Sequence, residues 1–216
     1  MERFINELSG NDKAKRKLLL EVIGSAFFPH NPSVFTILHS NHSTSGKGSI
    51  IEIVKSATKS SRELKDSQVF GVSNRFAMSA IKGVDSVFFD ELPMVIDKET
   101  TKTIKSFADS KSEQEIEGKG TNQEAVNNSP TIIALTNKEL FFHDLDNALE
   151  KRLIYLNIEM NKDGVYLFNT KEITQLINNE EGLQYLASEA IKAYAEVFHK
   201  DGIRNMKFSL TQEHND

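Results

Sequence analysis

The chain has 216 residues, of which 38% are hydrophobic and 26% charged, values that are ordinary for a soluble globular domain. Its net charge of −5 argues weakly against a protein that coats duplex DNA, and the absence of cysteine excludes disulfides and thiolate metal sites. No apolar run is long enough to span a membrane and no signal peptide is evident at the start. A cytoplasmic location, in a bacterium or a host cell, is therefore expected.

Helical and extended patterns alternate along the chain. Apolar residues at helical spacing predict helices over residues 12–27, 49–57, 75–81, 98–108, 144–151 and 183–198. Short β-branched or aromatic runs predict buried strands over residues 34–38, 86–90, 131–136 and 153–158. Buried strands that alternate with helices predict an α/β fold with a central parallel sheet flanked by helices. We expect an N-terminal helical segment over residues 1–32, a core over 33–160 and a mostly helical C-terminal segment over 161–216.

The loop between the first strand and the next helix has the composition of a phosphate-binding loop. Gly46 and Lys47 stand where such a loop needs a backbone that wraps phosphate oxygens and an ammonium that reaches them. Asn41 replaces the usual first glycine, and Gly48 replaces the usual Mg²⁺-binding hydroxyl, with Ser49 next. The full set of expected nucleotide-binding residues is Asn41, Ser43, Thr44, Ser45, Gly46, Lys47, Gly48 and Ser49. A serine- and glycine-rich turn without a ligand is the plain alternative.

Polar residues also follow two later strands. Asp90 and Glu91 come after the strand SVFF, where an aspartate can hold Mg²⁺ and a glutamate can polarise an attacking water. Asn137 follows TIIALT, where its amide can sense the terminal phosphate of a nucleotide. Because ligands of parallel sheets bind at the carboxyl ends of the strands, the three segments are expected at one edge. Taken singly, each is an ordinary polar turn.

In this order, these residues resemble the superfamily 3 helicases, the motor part of phage, plasmid and poxvirus-type primase-helicases. The resemblance covers residues 34–158 and implies a P-loop NTPase of the AAA+ type that uses ATP and Mg²⁺. It implies a homo-oligomer, usually a hexamer, that moves along single-stranded or forked DNA, with no role for a membrane. Ser49 and Asp90 would hold the metal, while Lys47, Asp90, Glu91 and Asn137 would serve hydrolysis.

The resemblance also assigns residues outside this edge. By position, Arg152 matches the arginine that enters the ATP site of the neighbouring subunit. Lys151, the other member of the basic pair, is the alternative for this role. The segment SEQEIEGKGTNQEAVNN reads as a hairpin with Lys119 at its tip, and such a hairpin grips DNA in the family. Lys111 and Lys105 are further candidates for contact with DNA phosphates.

Two other functions remain open at this stage. An ATP-binding initiator or scaffold that assembles on DNA without unwinding it would fit the missing hydroxyl after Lys47 and the acidic net charge. A small-molecule kinase would share the Gly-Lys-Gly loop, but the acidic strand end and Asn137 are features of ATPases.

Overall fold

A computed structural model describes residues 1–28, 33–41, 45–58, 60–70, 81, 83–108, 114–116, 124–126, 130–158 and 168–201. Its helices are α1 (Glu2–Leu8), α2 (Lys13–Ser25), α3 (Lys47–Ala57), α4 (Asp66–Val69), α5 (Lys98–Phe107), α6 (Asn147–Glu150), α7 (Thr170–Ile177) and α8 (Glu180–Asp201). Its strands are β1 (Phe35–His39), β2 (Ser61–Leu64), β3 (Ser86–Phe89), β4 (Val95–Ile96), β5 (Gln114–Ile116), β6 (Glu124–Val126), β7 (Thr131–Thr136), β8 (Phe141–Phe142) and β9 (Leu153–Asn157).

Five strands form one parallel sheet in the order β2-β3-β7-β1-β9. β7 therefore lies between β1 and β3 in the sheet, although it follows both of them in the chain. Two small ribbons complete the described strands: β4 pairs with β8 in parallel, and β5 pairs with β6 in antiparallel register. The prediction of a central parallel sheet flanked by helices is confirmed.

Alternate residues of the buried strands feed two hydrophobic cores, one on each face of the sheet. On β1, Leu38 joins the core under α1, α2, α3 and α8, whereas Phe35 and Ile37 join the core under α5 and α6. Phe88 and Phe89 of β3 divide in the same way. Burial on both faces explains why these strands read as continuous apolar runs rather than as alternating patterns.

α2 and α8, which are far apart in the chain, meet on the first of these faces. α2 begins where the Asp12 side chain accepts hydrogen bonds from the first-turn amides, and it packs extensively against α8. At Gly24 the approach is so close that a Cβ would lie 2.2 Å from the carbonyl oxygen of Ala190. The division into three sequence segments stays a prediction, but the first and last segments share this core with the sheet.

Most predicted elements lie within a few residues of the observed ones, and the differences are local. The helix predicted over 144–151 is the single turn of α6, because Asp146 accepts a hydrogen bond from the Leu149 amide and so caps the helix there. The helix predicted over 75–81 falls almost wholly outside the described residues. None of the helices in the described part of the chain is long and apolar enough to cross a bilayer.

Candidate functional site

The loop after β1 ends in a conformation that requires glycine. Gly46 has φ +84°, in the left-handed region that other residues rarely adopt, and α3 starts at the next residue. A Cβ at Gly46 would lie 3.0 Å from a side-chain carbon of Leu8, so α1 also closes on the loop. The first-turn amides of α3, at Gly48 and Ser49, therefore lie next to a turn that has no side chain at Gly46. Such an arrangement is suited to binding an anion.

The ammonium group of Lys47 lies within the same loop. The residue is 6% exposed, and its Nζ donates a hydrogen bond to the carbonyl oxygen of Ser40 at 3.1 Å. Ser40 directly follows β1, so the ammonium lies at the carboxyl end of that strand. Burial lowers the pKa of Lys47 to about 8, because the charged form has lost much of its hydration. A phosphate group bound here would stabilise the charged form of the ammonium.

The hydroxyl of Ser45 precedes Gly46 and is buried. Among the residues that the structure describes, it has no hydrogen-bond partner. Ser43 and Thr44, also predicted to bind nucleotide, lie outside the described residues, while Asn41 is exposed at the start of the loop. An unpaired buried hydroxyl beside a glycine turn is a group that a ligand oxygen would satisfy.

The sheet brings the other predicted residues to the same edge as Lys47. The end of β1, at His39, lies opposite Thr136 of β7, and the end of β3, at Phe89, lies opposite Ala134. Asp90 and Glu91 therefore leave the sheet beside the end of β7, where Asn137 follows. Asp90 and Asn137 are exposed and Glu91 is half-buried. This edge, formed by residues 40–41, 45–49, 90–91 and 137–138, is called the strand-end site below.

An ion pair crosses the strand-end site. The Nζ of Lys138 lies 2.6 Å from a carboxylate oxygen of Glu91, and both side chains are about half exposed. The contact joins the segment after β3 to the segment after β7. Sequence reasoning did not identify Lys138, because nothing local to it signals a partner that is distant in the chain.

His39 lies at the base of the same edge. Its Nδ1 is 2.7 Å from Oδ1 of Asn157, and its ring stacks on Tyr155 with centroids 5.3 Å apart. Its Nε2 has no hydrogen-bond partner within the described ranges. These contacts hold the ends of β1 and β9 together, so His39 has a structural role that the sequence did not suggest.

At the strand-end site, a divalent cation would need oxygen atoms from a bound phosphate and from water in addition to those of the protein. The described residues contain no group of three or more histidine, aspartate or glutamate side chains placed to hold a metal ion. Ser49 and Asp90 offer one hydroxyl and one carboxylate, the pattern of Mg²⁺ sites that use one or two protein oxygens together with phosphates and water.

Arg152 lies at the other edge of the sheet. Its carbonyl oxygen accepts a hydrogen bond from Phe35 at the start of β1, and its Nη1 donates to the carbonyl of Ala148 at 2.9 Å. Both contacts place it at the amino ends of the strands. The strand-end site lies about 16 Å away, the length of the five residues of β9. Within one chain, the structure does not bring Arg152 to the other predicted residues.

The predicted DNA-binding lysines are described only in part. Lys105, on α5, pairs with Asp146 at 2.5 Å, and this contact and the amide of Leu149 hold the pKa of Asp146 below its usual value. Lys111 and Lys119 lie outside the described residues. β5 and β6 form the two antiparallel strands expected on either side of Lys119.

A large cavity opens beside the strand-end site. It measures about 750 Å³ and extends from the loop residues Ser45, Gly46, Gly48 and Ser49 to walls formed by α1 and α7. Both walls fall within the segments expected to be helical, 1–32 and 161–216, but neither was predicted as a separate helix. The pattern Asn-x-x-Glu at Asn169–Glu172 is a capping box and was the available signal for α7.

Comparison with known proteins places more than half of the sequence in a recognised family. Residues 38–152 match a family described as "Family of unknown function (DUF5906)". The chain belongs to DUF5906. No curated protein matches it.

Solved structures share the fold of this DUF5906 chain at low sequence identity. The apo A form of the NrS-1 C-terminal region has a TM-score of 0.67 at 15% identity, over 94% of this chain and 50% of that one. The JCV helicase has a TM-score of 0.51 at 8% identity, over 92% of this chain and 61% of that one. The chain spans about half the length of the NrS-1 structure, and the likeness is one of fold.

The DUF5906 match includes the strand-end site and Arg152 but not α1 or α7. The cavity therefore combines one wall inside the matched region, at the loop, with two walls outside it.

Proposed function

We propose that the chain is the ATP-hydrolysing motor of a DNA helicase, of the P-loop, AAA+ type, that serves the replication of a phage, plasmid or other mobile element. The motor core would span residues 33–160. The observation that carries the proposal is the convergence of Lys47, the Asp90–Glu91 pair and Asn137 at one edge of a parallel sheet. The likeness in fold to the JCV helicase supports it.

In this proposal the triphosphate of ATP lies in the loop before α3. The backbone around Gly46 and the helix start would surround the phosphates, and the Lys47 ammonium would neutralise the two outer ones. Ser49 and Asp90 would hold Mg²⁺, which neutralises charge on the phosphates when bound. Lys47 is already buried at this edge, so little reorganisation is needed when the nucleotide arrives.

Hydrolysis requires a water placed in line with the terminal phosphorus. Glu91 would orient that water and accept its proton while a new oxygen–phosphorus bond forms. The bond to the bridging oxygen breaks, and ADP leaves with that oxygen. Asn137 would hold the water or the terminal phosphate through its amide. Glu91 pairs with Lys138, so in this mechanism the carboxylate would turn from Lys138 to the water.

Arg152 would act on the nucleotide of a neighbouring subunit. It lies at the sheet edge opposite the strand-end site, and a head-to-tail contact between two chains would bring the edges together. Repetition of that contact would close a ring, which we propose to be a hexamer. Met94, Val95, Phe141 and Leu145 are exposed apolar side chains that such contacts would cover. Lys119, together with Lys111 and Lys105, would contact DNA in the channel of the ring.

The decisive experiment measures ATP hydrolysis and strand displacement on forked DNA together. The parent should unwind the fork only with ATP and Mg²⁺, and Lys47→Ala should lose both activities. Lys55→Ala is a matched control, because Lys55 lies on the same helix and pairs with Glu52 and Glu63 at the surface. Equal ATP hydrolysis by the parent and Lys47→Ala would disprove the assignment of the site.

A second function is favoured by the Glu91–Lys138 ion pair. A chain whose general base stays tied to Lys138 would bind ATP and assemble on DNA as an initiator or scaffold without unwinding it. The same assays separate the two functions. Tight ATP-dependent binding to forked DNA, with neither hydrolysis nor strand displacement, would identify the scaffold.

A further inference from the structure

α6 is a single helical turn that is held in place by its surroundings. It comprises only Asn147–Glu150, and a helix of this length gains too few hydrogen bonds to form by itself. Its buried residue, Leu149, belongs to the hydrophobic core that also contains Ile104 and Phe107 of α5. The position of α6 in the fold therefore depends on α5.

Asp146 joins the two helices through its two carboxylate oxygens. Oδ1 accepts a hydrogen bond from the amide of Leu149 at 2.8 Å and so caps α6. Oδ2 lies 2.5 Å from Nζ of Lys105 on α5. One oxygen thus fixes the start of α6, and the other attaches that start to α5. Because both side chains are partly exposed, solvent screens the ion pair, and its loss should shift a local equilibrium about fivefold rather than unfold the chain.

Arg152 is attached to the other end of the same turn. Its amide donates a hydrogen bond to the carbonyl oxygen of Leu149 at 2.8 Å, and its Nη1 donates to the carbonyl oxygen of Ala148 at 2.9 Å. The guanidinium therefore takes its direction from α6, although Arg152 itself directly precedes β9. A change in the orientation of α6 would move the guanidinium with it.

We propose that Lys105 and Asp146 are positioning residues for Arg152: their ion pair orients α6, and α6 orients the guanidinium that acts in the neighbouring subunit's site. The inference rests on the proposed function and adds to it the contacts that set the direction of the arginine. It gives Lys105 a role that does not depend on DNA. ATP hydrolysis in the absence of DNA therefore reports on this role alone.

Two substitutions break the ion pair and leave the rest of the turn in place. Lys105→Ala removes the ammonium, whereas Asp146→Asn keeps an oxygen that can cap α6 and removes the charge that pairs with Lys105. Lys102→Ala is the matched control, because Lys102 lies one turn away on α5 and pairs with Glu99 of its own helix. ATP hydrolysis is measured on the full chain without DNA, and thermal unfolding verifies that each variant is folded.

Lys105→Ala and Asp146→Asn should each lower kcat about fivefold and change the KM for ATP less than about twofold, because an arginine that acts on the transferred phosphoryl group contributes in the transition state. The double variant should be no slower than either single variant, since both break the same ion pair. Lys102→Ala should retain the parental rate. Parental kcat in Lys105→Ala and Asp146→Asn would overturn the inference.

A mixture with Lys47→Ala separates an effect on the neighbouring subunit's site from an effect on the chain's own site. Lys105→Ala has an intact loop and Lys47→Ala has an intact arginine, so about one interface in four of an equal mixture combines the two. With a fivefold defect in the arginine, the mixture should reach about 0.3 of the parental rate, whereas the same defect in the chain's own loop would leave about 0.1.

The lower value would overturn the inference. Arg152→Ala distinguishes its failure from that of the proposed function. If Arg152→Ala hydrolyses ATP at the parental rate, the arginine that acts in trans is disproved and this inference with it. If Arg152→Ala is inactive and the two ion-pair variants match the parent, only the positioning role is disproved.

Discussion

Binding of ATP should draw a proton from solution, because Lys47 is partly neutral in the free chain. Burial lowers the pKa of Lys47 to about 8, so about half of the molecules carry the charge at pH 8. A bound triphosphate favours the ammonium and returns its pKa toward 10.5. Proton uptake should then be about 0.1 per ATP at pH 7, about 0.5 at pH 8 and about 0.9 at pH 9. By linkage, ATP affinity should fall about tenfold from pH 7 to pH 9.

Calorimetry in two buffers of different ionisation enthalpy measures this uptake directly. Above pH 8 the terminal phosphate of ATP, whose pKa is near 6, is fully ionised and contributes nothing. Lys47→Arg is the control, because a guanidinium stays charged throughout and any binding that it retains should not depend on pH. No proton uptake by the parent at pH 8, with constant affinity from pH 7 to pH 9, would refute the reasoning.

Because burial lowers its pKa, the charged form of Lys47 reduces the free energy of unfolding of the chain when no ligand is bound. Between pH 8 and pH 10.5 the unfolded chain binds more protons at this residue than the folded chain, so stability rises with pH across that window. Below pH 8 this cost is present in full. Lys47→Met should remove it, so the variant should be more stable than the parent at pH 7, by on the order of 1 kcal/mol because solvent screens part of the cost. Urea unfolding at pH 7 tests this, and a variant no more stable than the parent would contradict it.

Three further predictions follow from the packing and the strand ends. Glu91→Gln should bind ATP as tightly as the parent and hydrolyse it at least about 100-fold more slowly, as measured by equilibrium binding and phosphate release. Gly24→Ala should lower the free energy of unfolding by about 3 kcal/mol, measured by urea denaturation, because the new Cβ meets a backbone carbonyl of α8. Gly48→Ala is the control: no atom lies within 4 Å of its new Cβ, so the same measurement should show a loss of less than about 1 kcal/mol. Arg152→Ala and Lys47→Ala should each be inactive alone, and an equal mixture should recover up to about a quarter of parental ATPase, because one interface in four would combine an intact loop with an intact arginine.

The sheet could be predicted from the sequence because its strands are buried on both faces. TIIALT is apolar between its terminal threonines, and the observed β7 has the predicted bounds. The turn before α3 could also be predicted, since a glycine directly before a helix is a local feature of the sequence; its role in binding phosphate stays a prediction. The two-residue strands β4 and β8 were missed, because two residues are too few for any periodic pattern.

Contacts that depend on strand order lay beyond the sequence. The pairing of Glu91 with Lys138 needs β3 beside β7, and no pattern within either strand fixes that order. The cavity depends similarly on α1 and α7, which are more than 150 residues apart in the chain. Phe4 on α1 contacts Phe168, which lies two residues before α7. Each wall has a readable helical pattern, but only the folded chain shows that the two walls enclose a common space.

The position of Arg152 was within reach of sequence reasoning, and it constrains how subunits would assemble. Asp90 follows a strand and Arg152 precedes one, so a parallel sheet must place them at opposite edges. An arginine at the amino edge reaches a phosphate at the carboxyl edge only if a second chain presents that edge. Such a contact joins two different surfaces, and repetition of it gives a closed ring or an open filament according to the rotation between subunits. A two-fold dimer would bring Arg152 to a phosphate only if its axis ran across the strands, because such an axis sets the amino edge of one chain beside the carboxyl edge of the other; an axis parallel to the strands would pair like edges and leave Arg152 without a nucleotide.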